Sequence, residues 1–259
     1  MSKLSPKSVF ITGANRGLGL AFVKHFLDLE ELPTHVFAAC RQPDQATELT
    51  RLAGENGRVR VVKLDVREDE EIAAAVVEVE KVVGDDGLNL LLNNAGVNHQ
   101  ERGLESLTRE KMNYHFDCNV TAPLLVSKAF LPLLRRAGNK TDFSCSRAAI
   151  INLSSEVSLI NFVKRINDFH YAYDCTKCAL NMVTDILGRE VSPDGVLVAG
   201  LHPGWVKTDM GGSNAKLDIE ESVPKCMNTI AAMNKDSSGL LYSYAGTIMR
   251  WNAEHVITQ

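Results

Sequence analysis

The stretch from Val9 to Gly19 constrains the fold of this chain most, because a short apolar run meets three glycines there and a helical pattern follows at once. The apolar run predicts a strand, and residues 20–27 carry apolar side chains at helical spacing. Glycine tolerates positive φ and lets the backbone approach a ligand closely. A helix N-terminus offers unpaired amides and a positive dipole end. The stretch therefore predicts a strand, a tight turn and a helix that bind a pyrophosphate, and a turn chosen only for backbone geometry is the alternative.

Composition and charge exclude several classes of protein. The chain has 259 residues, a hydrophobic content of 45% and a formal net charge of −4, which together give no basic footprint for nucleic acid. No apolar run approaches membrane-spanning length, and residues 1–7 do not resemble a signal peptide. Six cysteines at irregular spacing predict free thiols in a reducing compartment. We therefore expect a cytoplasmic protein that binds neither nucleic acid nor a membrane.

Strand and helix patterns alternate along the chain. Strands are predicted at 9–11, 34–40, 59–64, 88–93, 148–153, 196–201 and 240–244, and helices at 20–27, 43–52, 68–83, 108–136, 171–191 and 218–235. Pro123 and Pro132 predict kinks in the fourth helix, and Pro224 predicts an interruption of the last one. Such alternation predicts a parallel sheet with right-handed crossovers and helices on both faces. No linker or repeat divides the chain, so we expect a single α/β domain over 1–259, a doubly wound parallel sheet of about seven strands.

Polar and glycine-containing segments follow the predicted strands, at the edge where such sheets bind ligands. The fourth strand runs into the segment Asn-Asn-Ala-Gly at 93–96, the fifth into Ser154 and Ser155, and the sixth into His-Pro-Gly-Trp-Val-Lys-Thr at 202–208. The helix after the fifth strand carries Tyr173 and Lys177, which lie on one helix face because they are four residues apart. This edge is therefore the predicted site of chemistry.

These segments, in this order, resemble the short-chain dehydrogenase/reductase family. The glycine turn matches the family pattern Thr-Gly-x-x-x-Gly-x-Gly, and the Asn-Asn-Ala-Gly segment, the serine, the Tyr-x-x-x-Lys pair and the Pro-Gly segment match as well. The resemblance covers the chain from about residue 8 to its C-terminus. It is closest to the sniffer-like and C-factor-like carbonyl reductases, which share the Asn15-Arg16 pair and an ending like residues 246–251. It implies a Rossmann-type fold, reduction of a small-molecule carbonyl substrate by NADPH, and a possible homodimer.

Carbonyl reduction needs a hydride donor and a proton donor at the oxygen. A phenol has a reference pKa of about 10, and we expect the ammonium of Lys177 to lower the pKa of Tyr173 and make the pair a tuned acid and base. Ser155 is the candidate group that holds the substrate oxygen. The resemblance implies that Asn119 completes a proton relay and that Lys177 also binds the nicotinamide ribose. A buried structural amide is the alternative for Asn119.

Two catalytic assignments have a competitor in the sequence. Tyr171 competes with Tyr173, but at six residues from Lys177 it points to another helix face. Ser154 competes with Ser155, and the family pattern favours the second serine.

Three further residues near Tyr173 are interpreted as having no catalytic role. Cys175 and Cys178 have the spacing of a redox motif, but we interpret them as packing residues. His170 is interpreted as a satisfied or exposed loop histidine and not as a base.

The residues after the second strand indicate the cofactor. NAD-selective sites place Asp or Glu there, whereas this chain has Cys40 and Arg41. A guanidinium binds a 2′-phosphate through charge-assisted hydrogen bonds, and a carboxylate would repel it. Arg16 lies in the glycine turn, where NADP-dependent members of the family also carry a basic residue. We therefore predict NADPH/NADP+, with two solvated surface arginines as the alternative.

The resemblance implies further cofactor contacts: Asp65 for the adenine, Asn94 for the adenosine ribose and Thr208 for the carboxamide. No metal site is predicted. The complete predicted cofactor site consists of Gly13, Asn15, Arg16, Gly17, Leu18, Gly19, Arg41, Asp65, Val66, Asn94, Ala95, Gly96, Tyr173, Lys177, Pro203, Gly204, Val206 and Thr208.

One segment departs from the family pattern. Residues 156–170 are additional between Ser155 and Tyr173, and we expect them to lie at the mouth of the substrate site. Residues 209–217 contain two glycines and are a candidate mobile lid. Phe162, Trp205 and Met210 are candidates for an apolar pocket wall, with core packing as the alternative.

Two other functions compete with carbonyl reduction. One is an NAD(P)-linked alcohol or steroid dehydrogenase that runs in the oxidative direction. The other is a non-catalytic, NADP-binding redox sensor, against which the presence of Tyr173 and Lys177 counts.

Overall fold

The protein forms one seven-stranded parallel sheet in the computed structural model, which describes residues 3–99, 103–163 and 169–250. The strands lie in the order β3-β2-β1-β4-β5-β6-β7, and all neighbours are parallel. The order reverses between β1 and β4, so a crevice opens beyond the carboxyl ends of these two strands. The predicted doubly wound α/β sheet is confirmed. The strands are β1 Ser8–Thr12, β2 His35–Cys40, β3 Val59–Lys63, β4 Leu90–Asn93, β5 Ala149–Leu153, β6 Leu197–His202 and β7 Leu241–Ser243.

Helices cover both faces of the sheet. On one face α1, α2 and α8 pack on Val9 and Ile11 of β1, and on the other α3, α5 and α7 pack around Phe10. The ring centroid of Phe10 lies 4.4 Å from that of Phe130 on α5. Burial on both faces explains why β1 and β4 are apolar at nearly every position. The helices are α1 Gly17–Phe26, α2 Thr47–Glu55, α3 Asp69–Val83, α4 Arg109–Phe116, α5 Ala122–Ala137, α6 Ile160–Val163, α7 Tyr171–Val191 and α8 Ile219–Ala232.

The predicted fourth helix is divided by a π-helical turn and not by its prolines. Thr108 caps the start of α4, as predicted, by accepting a hydrogen bond from the backbone amide of Lys111 at 3.2 Å. The π-helical turn occupies Asp117–Thr121, and the proline pattern did not predict it. Pro123 lies in the first turn of α5, where its missing N–H costs nothing. Pro132 lies inside α5, which continues past it to Ala137.

Two other predicted boundaries change. The second predicted helix consists of a short 3₁₀ turn at Pro43–Gln45 followed by α2. The interruption expected at Pro224 does not occur, because α8 runs through that residue. One missing N–H is tolerated there, since α8 buries Val223 and Ile230 against the sheet.

Two predicted features fall partly beyond the described part of the chain. Residues 164–168 of the additional segment lie outside it, and so does Trp251 at the end of the family-like C-terminal motif.

Within the described ranges, no helix combines the length and apolar character that a bilayer span requires.

Candidate active site

The turn after β1 presents the free amides of a helix N-terminus. Helix α1 begins at Gly17 with φ of +53°, a conformation that favours glycine. No side chain caps this helix, and its first turn holds no acidic residue. A Cβ on Gly19 would overlap with the carbonyl oxygen of Gly13 and lie 2.6 Å from Nδ2 of Asn94. The turn is thus tightly packed against the segment after β4, and its amides remain available to an anion.

Asn94 ties the two turns together. Its Nδ2 donates to the carbonyl oxygens of Thr12 at 2.8 Å and Gly13 at 3.1 Å. The backbone amides of Asn94 and Ala95 both donate to Oγ1 of Thr12. These bonds hold the Asn-Asn-Ala-Gly segment beside the glycine turn and explain why both motifs occur together.

One cleft at the carboxyl edge of the sheet collects most of the predicted cofactor residues. Gly204 and Val206 do not line it. A Cβ on Gly204 would overlap with Leu217, and Val206 is buried and pairs with Leu217 in an isolated bridge. The predicted residues that do line the cleft are Gly13, Asn15, Arg16, Gly17, Leu18, Gly19, Arg41, Asp65, Val66, Asn94, Ala95, Gly96, Tyr173, Lys177, Pro203 and Thr208.

The cleft has lining residues that the motifs did not indicate. Tyr114 and Cys118 reach it from the end of α4 and the π-helical turn, a face that helix periodicity alone does not select. Arg67 also lines it, pairs with Asp65 at 3.0 Å and lies 5.1 Å from the ring centroid of Tyr114. The others are Cys40, Leu64, Val97, Leu153, Ser154, Asp209 and Met210.

Asp65 is held as a carboxylate. Burial acts to raise its pKa, but hydrogen bonds from the side chain and backbone of Arg67 outweigh burial and leave the pKa below its usual value. Arg41 also favours the charged form. This end of the cleft therefore combines one carboxylate with two guanidinium groups.

Tyr173 and Lys177 project from the first turns of α7, as their spacing predicts. Tyr173 is half-buried, and an interaction with the side chain of Ser155 acts to lower its pKa. Lys177 is only 6% exposed, and its Nζ donates to the carbonyl oxygen of Leu153 at 2.7 Å. That Nζ lies 5.6 Å from the ring centroid of Tyr173. The structure thus brings the tyrosine and the lysine to one wall of the cleft, whose lining includes Ser154 and not Ser155.

The predicted lowering of the pKa of Tyr173 by Lys177 is not found in the protein alone. Burial raises the pKa of Tyr173 to about 12, against the opposing effect of the hydrogen bond with Ser155. Burial also lowers the pKa of Lys177 to about 8. The physical reason is that both groups are desolvated, while the ammonium is directed at Leu153 and not at the phenol oxygen.

The two neighbouring serines have different partners. Ser154 is buried, and its Oγ donates to Oδ1 of Asn181 at 2.6 Å. Asn181 in turn donates to Oγ of Ser158 at 2.7 Å. Ser155 is half-buried and faces Tyr173. Ser154 lines the cleft with its hydroxyl engaged by Asn181, whereas Ser155 lies beside Tyr173 and does not line the cleft.

Asn119 lies on the π-helical turn and joins two segments of the site. It is 1% exposed; its Nδ2 donates to the carbonyl of Val97 at 2.9 Å and to Oγ1 of Thr176 at 3.0 Å. Its Oδ1 accepts from the backbone amide of Val97 at 2.8 Å. Both amide hydrogens are thus engaged, which favours the structural alternative for this side chain. A π-helical turn is a frequent feature of functional sites.

The two arginines predicted for the cofactor differ in their surroundings. Nη1 of Arg16 lies 2.6 Å from Oδ2 of Asp209, so Arg16 is not a free guanidinium. Arg41 is exposed and makes no ion pair within the described ranges. Of these two arginines, Arg41 is therefore the one whose guanidinium is available to bind an anion.

The competing residues lie away from the chemistry. Tyr171 is exposed, and Cys175 and Cys178 are free thiols, the first of them exposed. Trp205 is 45% exposed and donates from Nε1 to the carbonyl of Gly211 at 2.8 Å, so it neither packs in the core nor lines the cleft.

The other residues of the predicted pocket wall differ from Trp205. Met210 lines the cleft, and Phe162 is half-buried on α6.

The described part of the chain holds no cluster of three or more His, Cys, Asp or Glu residues placed for a metal ion.

A doubly wound sheet with an uncapped glycine turn at its switch point and a Tyr–Lys pair on the facing helix defines a dinucleotide-dependent oxidoreductase. A family model described as short chain dehydrogenase matches residues 7–218. The chain therefore belongs to the short-chain dehydrogenase family of oxidoreductases.

Two solved structures to which the chain is similar over nearly its whole length are carbonyl reductases. The NADPH-bound carbonyl reductase from chicken fatty liver is 38% identical, with a TM-score of 0.93 over 97% of this chain and 96% of that chain. Carbonyl reductase Sniffer of D. melanogaster is 37% identical, with a TM-score of 0.91 over 95% of this chain and 100% of that chain. An uncharacterised oxidoreductase of Schizosaccharomyces pombe is 32% identical over 94% of this chain and 97% of its own length.

Proposed function

We propose that this protein is an NADPH-dependent carbonyl reductase that acts on aldehydes, ketones or quinones. The observation that carries the proposal is the placement of Tyr173 and the buried ammonium of Lys177, 5.6 Å from the tyrosine ring centroid, in the cleft that also contains the glycine turn. The carbonyl reductases of chicken and D. melanogaster, to which the chain is similar over nearly its whole length, support the same conclusion.

The residues present fit a phosphorylated dinucleotide. The uncapped first turn of α1 supplies amides and a dipole for the diphosphate. No carboxylate follows β2 directly, and Arg41 is placed there without an ion pair in the described ranges. These features favour NADPH over NADH, since a carboxylate at this position would repel the 2′-phosphate. Lys177 and Thr208 line the same cleft and are the residues that we propose for contact with the nicotinamide end of the cofactor.

Bound NADPH supplies the hydride for the carbonyl carbon. Ser155 holds the carbonyl oxygen by a hydrogen bond and directs it at the phenol of Tyr173. With a pKa of about 12, Tyr173 is protonated at neutral pH and donates its proton as the oxygen gains negative charge. The ammonium of Lys177, charged below a pKa of about 8, stabilises the phenolate that forms. A proton from solvent then restores Tyr173, and the product is the alcohol.

The variant Tyr173→Phe tests the mechanism. We expect turnover to fall by about 10²–10⁴-fold, with NADPH binding measured by fluorescence nearly unchanged, because only the hydroxyl is removed. The exposed neighbour gives the matched control, Tyr171→Phe, which we expect to retain full activity. Near-normal activity of Tyr173→Phe would reject Tyr173 as the proton donor.

Two measurements separate this proposal from its rivals. Tighter binding of NADH than of NADPH would favour an NAD-linked alcohol or steroid dehydrogenase. Failure to oxidise NADPH with a broad panel of aldehydes, ketones and quinones would favour a non-catalytic redox sensor.

We also propose a homodimer in the cytoplasm. Cys175, Met182 and Ile186 are exposed on one face of α7, and such an apolar stripe supports a contact with a second copy of the chain. Light scattering should give the mass of a dimer, and Met182→Glu with Ile186→Glu should give a monomer. All six cysteines are free thiols, which supports a reducing compartment.

A further inference from the structure

Two loops that are far apart in sequence meet across the mouth of the cleft. One is the glycine turn after β1, and the other is the loop over residues 203–217 after β6. Arg16 of the first loop and Asp209 of the second both line the cleft and form an ion pair of 2.6 Å. Next to this pair, Cγ2 of Thr208 lies 3.6 Å from the position that a Cβ on Gly17 would take. The two loops therefore touch at adjacent residues.

The strand order shows what this contact encloses. β4 and β5 lie between β1 and β6, so the contact spans the carboxyl ends of both strands. Arg41 and Asp65 follow β2 and β3 on one side of the glycine turn, and Lys177 donates to the end of β5 on the other. A ligand that reaches from Arg41 to Lys177 has to pass the glycine turn inside the cleft. The ion pair of Arg16 with Asp209 closes the cleft at that point.

The loop that carries Asp209 is braced by its own bonds. The backbone amide of Lys207 donates to the carbonyl of Leu217 at 2.9 Å, and Nζ of Lys207 pairs with Asp218 at 2.9 Å. The backbone amide of Gly211 donates to Oγ1 of Thr208 at 3.1 Å. A carboxylate held in this way presents its charge to Arg16 from a fixed position, which reduces the entropy cost of forming the ion pair.

We infer that Asp209 retains the cofactor, because its ion pair with Arg16 closes the cleft over bound NADPH and slows its release. The inference rests on the proposed cofactor and assigns to Asp209 a positioning role that acts through Arg16. Both partners are exposed, so the contribution is that of a surface ion pair, about a two- to fivefold change in rate. Salt should weaken it, because exposed charges are screened.

The test measures NADPH release without any carbonyl substrate. Enzyme loaded with NADPH is mixed with excess NADP+ in a stopped-flow instrument, and the loss of NADPH fluorescence gives the release rate. We expect Asp209→Asn to release NADPH about two to five times faster than the wild type at low ionic strength. In 1 M salt the two rates should converge.

The control breaks an ion pair away from the cleft. Glu80→Gln removes the pair of Glu80 on α3 with Arg136 on α5, neither of which lines the cleft, and should release NADPH at the wild-type rate. In an Arg16→Gln background, Asp209→Asn should cause no further acceleration, because the ion pair is already absent.

Three outcomes would overturn the inference. Equal release rates for the wild type and Asp209→Asn at low salt would show that the pair does not retain the cofactor. Slower release from Asp209→Asn would show that Asp209 competes with the cofactor for Arg16. If Asp209→Asn accelerated NADPH release equally in the wild-type and Arg16→Gln backgrounds, Asp209 would act independently of Arg16. Failure of the wild type to bind NADPH would instead reject the proposed function.

Discussion

The hydroxyl of Ser154 donates a hydrogen bond to Oδ1 of Asn181 over 2.6 Å, in the buried layer between β5 and α7. Asn181 continues the chain of bonds to Ser158. The next residue, Ser155, is half-buried and faces Tyr173. The two adjacent serines thus have different partners on α7, Asn181 for Ser154 and Tyr173 for Ser155.

The serine pair gives the first prediction. Ser155→Ala should lower turnover by about 10²-fold or more, because it removes a donor to the developing negative charge, and should leave the melting temperature unchanged. Ser154→Ala should retain activity but lose about 1–3 kcal/mol of unfolding free energy, because Oδ1 of Asn181 loses its buried donor. Kinetics and urea unfolding of both variants check this, and the reverse pattern would exchange the two roles.

Arg41 should select the cofactor. Arg41→Ala should weaken NADPH binding about ten- to a hundredfold, since a hydrogen bond to a charged group contributes about 1.5–3 kcal/mol. NADH binding should stay the same, because NADH has no 2′-phosphate. Titration calorimetry with both dinucleotides measures this, and Arg51→Ala on the exposed face of α2 is the control. Equal losses for both dinucleotides would contradict a contact with the 2′-phosphate.

Lys177 should make stability depend on pH. Burial lowers its pKa from 10.5 to about 8 in the folded protein. Between these two values the unfolded chain binds the proton and the folded chain does not, so raising the pH favours the folded state. The unfolding free energy of the wild type, taken relative to Lys177→Met, should therefore increase from pH 7 to pH 10. Urea midpoints across that range measure the difference, and a constant difference would contradict a buried, desolvated ammonium.

Gly19 should tolerate no side chain. In Gly19→Ala the new Cβ would overlap with the backbone of Gly13, so we expect a loss of about 1–3 kcal/mol of unfolding free energy and weaker NADPH binding. Gly54→Ala is the matched control, because nothing lies within 4 Å of its Cβ position in α2. That variant should be neutral or slightly more stable, since alanine is the better helix former. Thermal unfolding of both variants is the measurement.

Much of the fold follows from local patterns. Apolar runs without polar alternation predict strands buried on both faces, and α7 begins and ends at Tyr171 and Val191 as its pattern predicts. Proline was the least reliable indicator. Pro224 lies inside α8, which continues past it with Val223 and Ile230 buried, whereas Pro123 lies in the first turn of α5, where its missing N–H costs nothing.

The site could be predicted where its residues are joined by spacing. Tyr173 and Lys177 share a helix face because four residues make about one turn, and the glycine turn meets α1 because it directly precedes that helix. No such spacing relates Arg16 to Asp209 or Ser154 to Asn181. Those pairs form because crossovers bring the ends of distant strands to one edge of the sheet.

The sequence by itself determined the alternation of strands and helices, the glycine turn before α1 and the position of Tyr173 and Lys177 on one helix face, since each depends on backbone preferences and short-range periodicity. The tertiary structure alone decided the different partners of Ser154 and Ser155, how Asn119 is engaged and that Arg16 is paired. It also decided the pKa values of Tyr173 and Lys177, at about 12 and about 8. The physical reason is that desolvation and long-range pairing arise only when separate segments pack together.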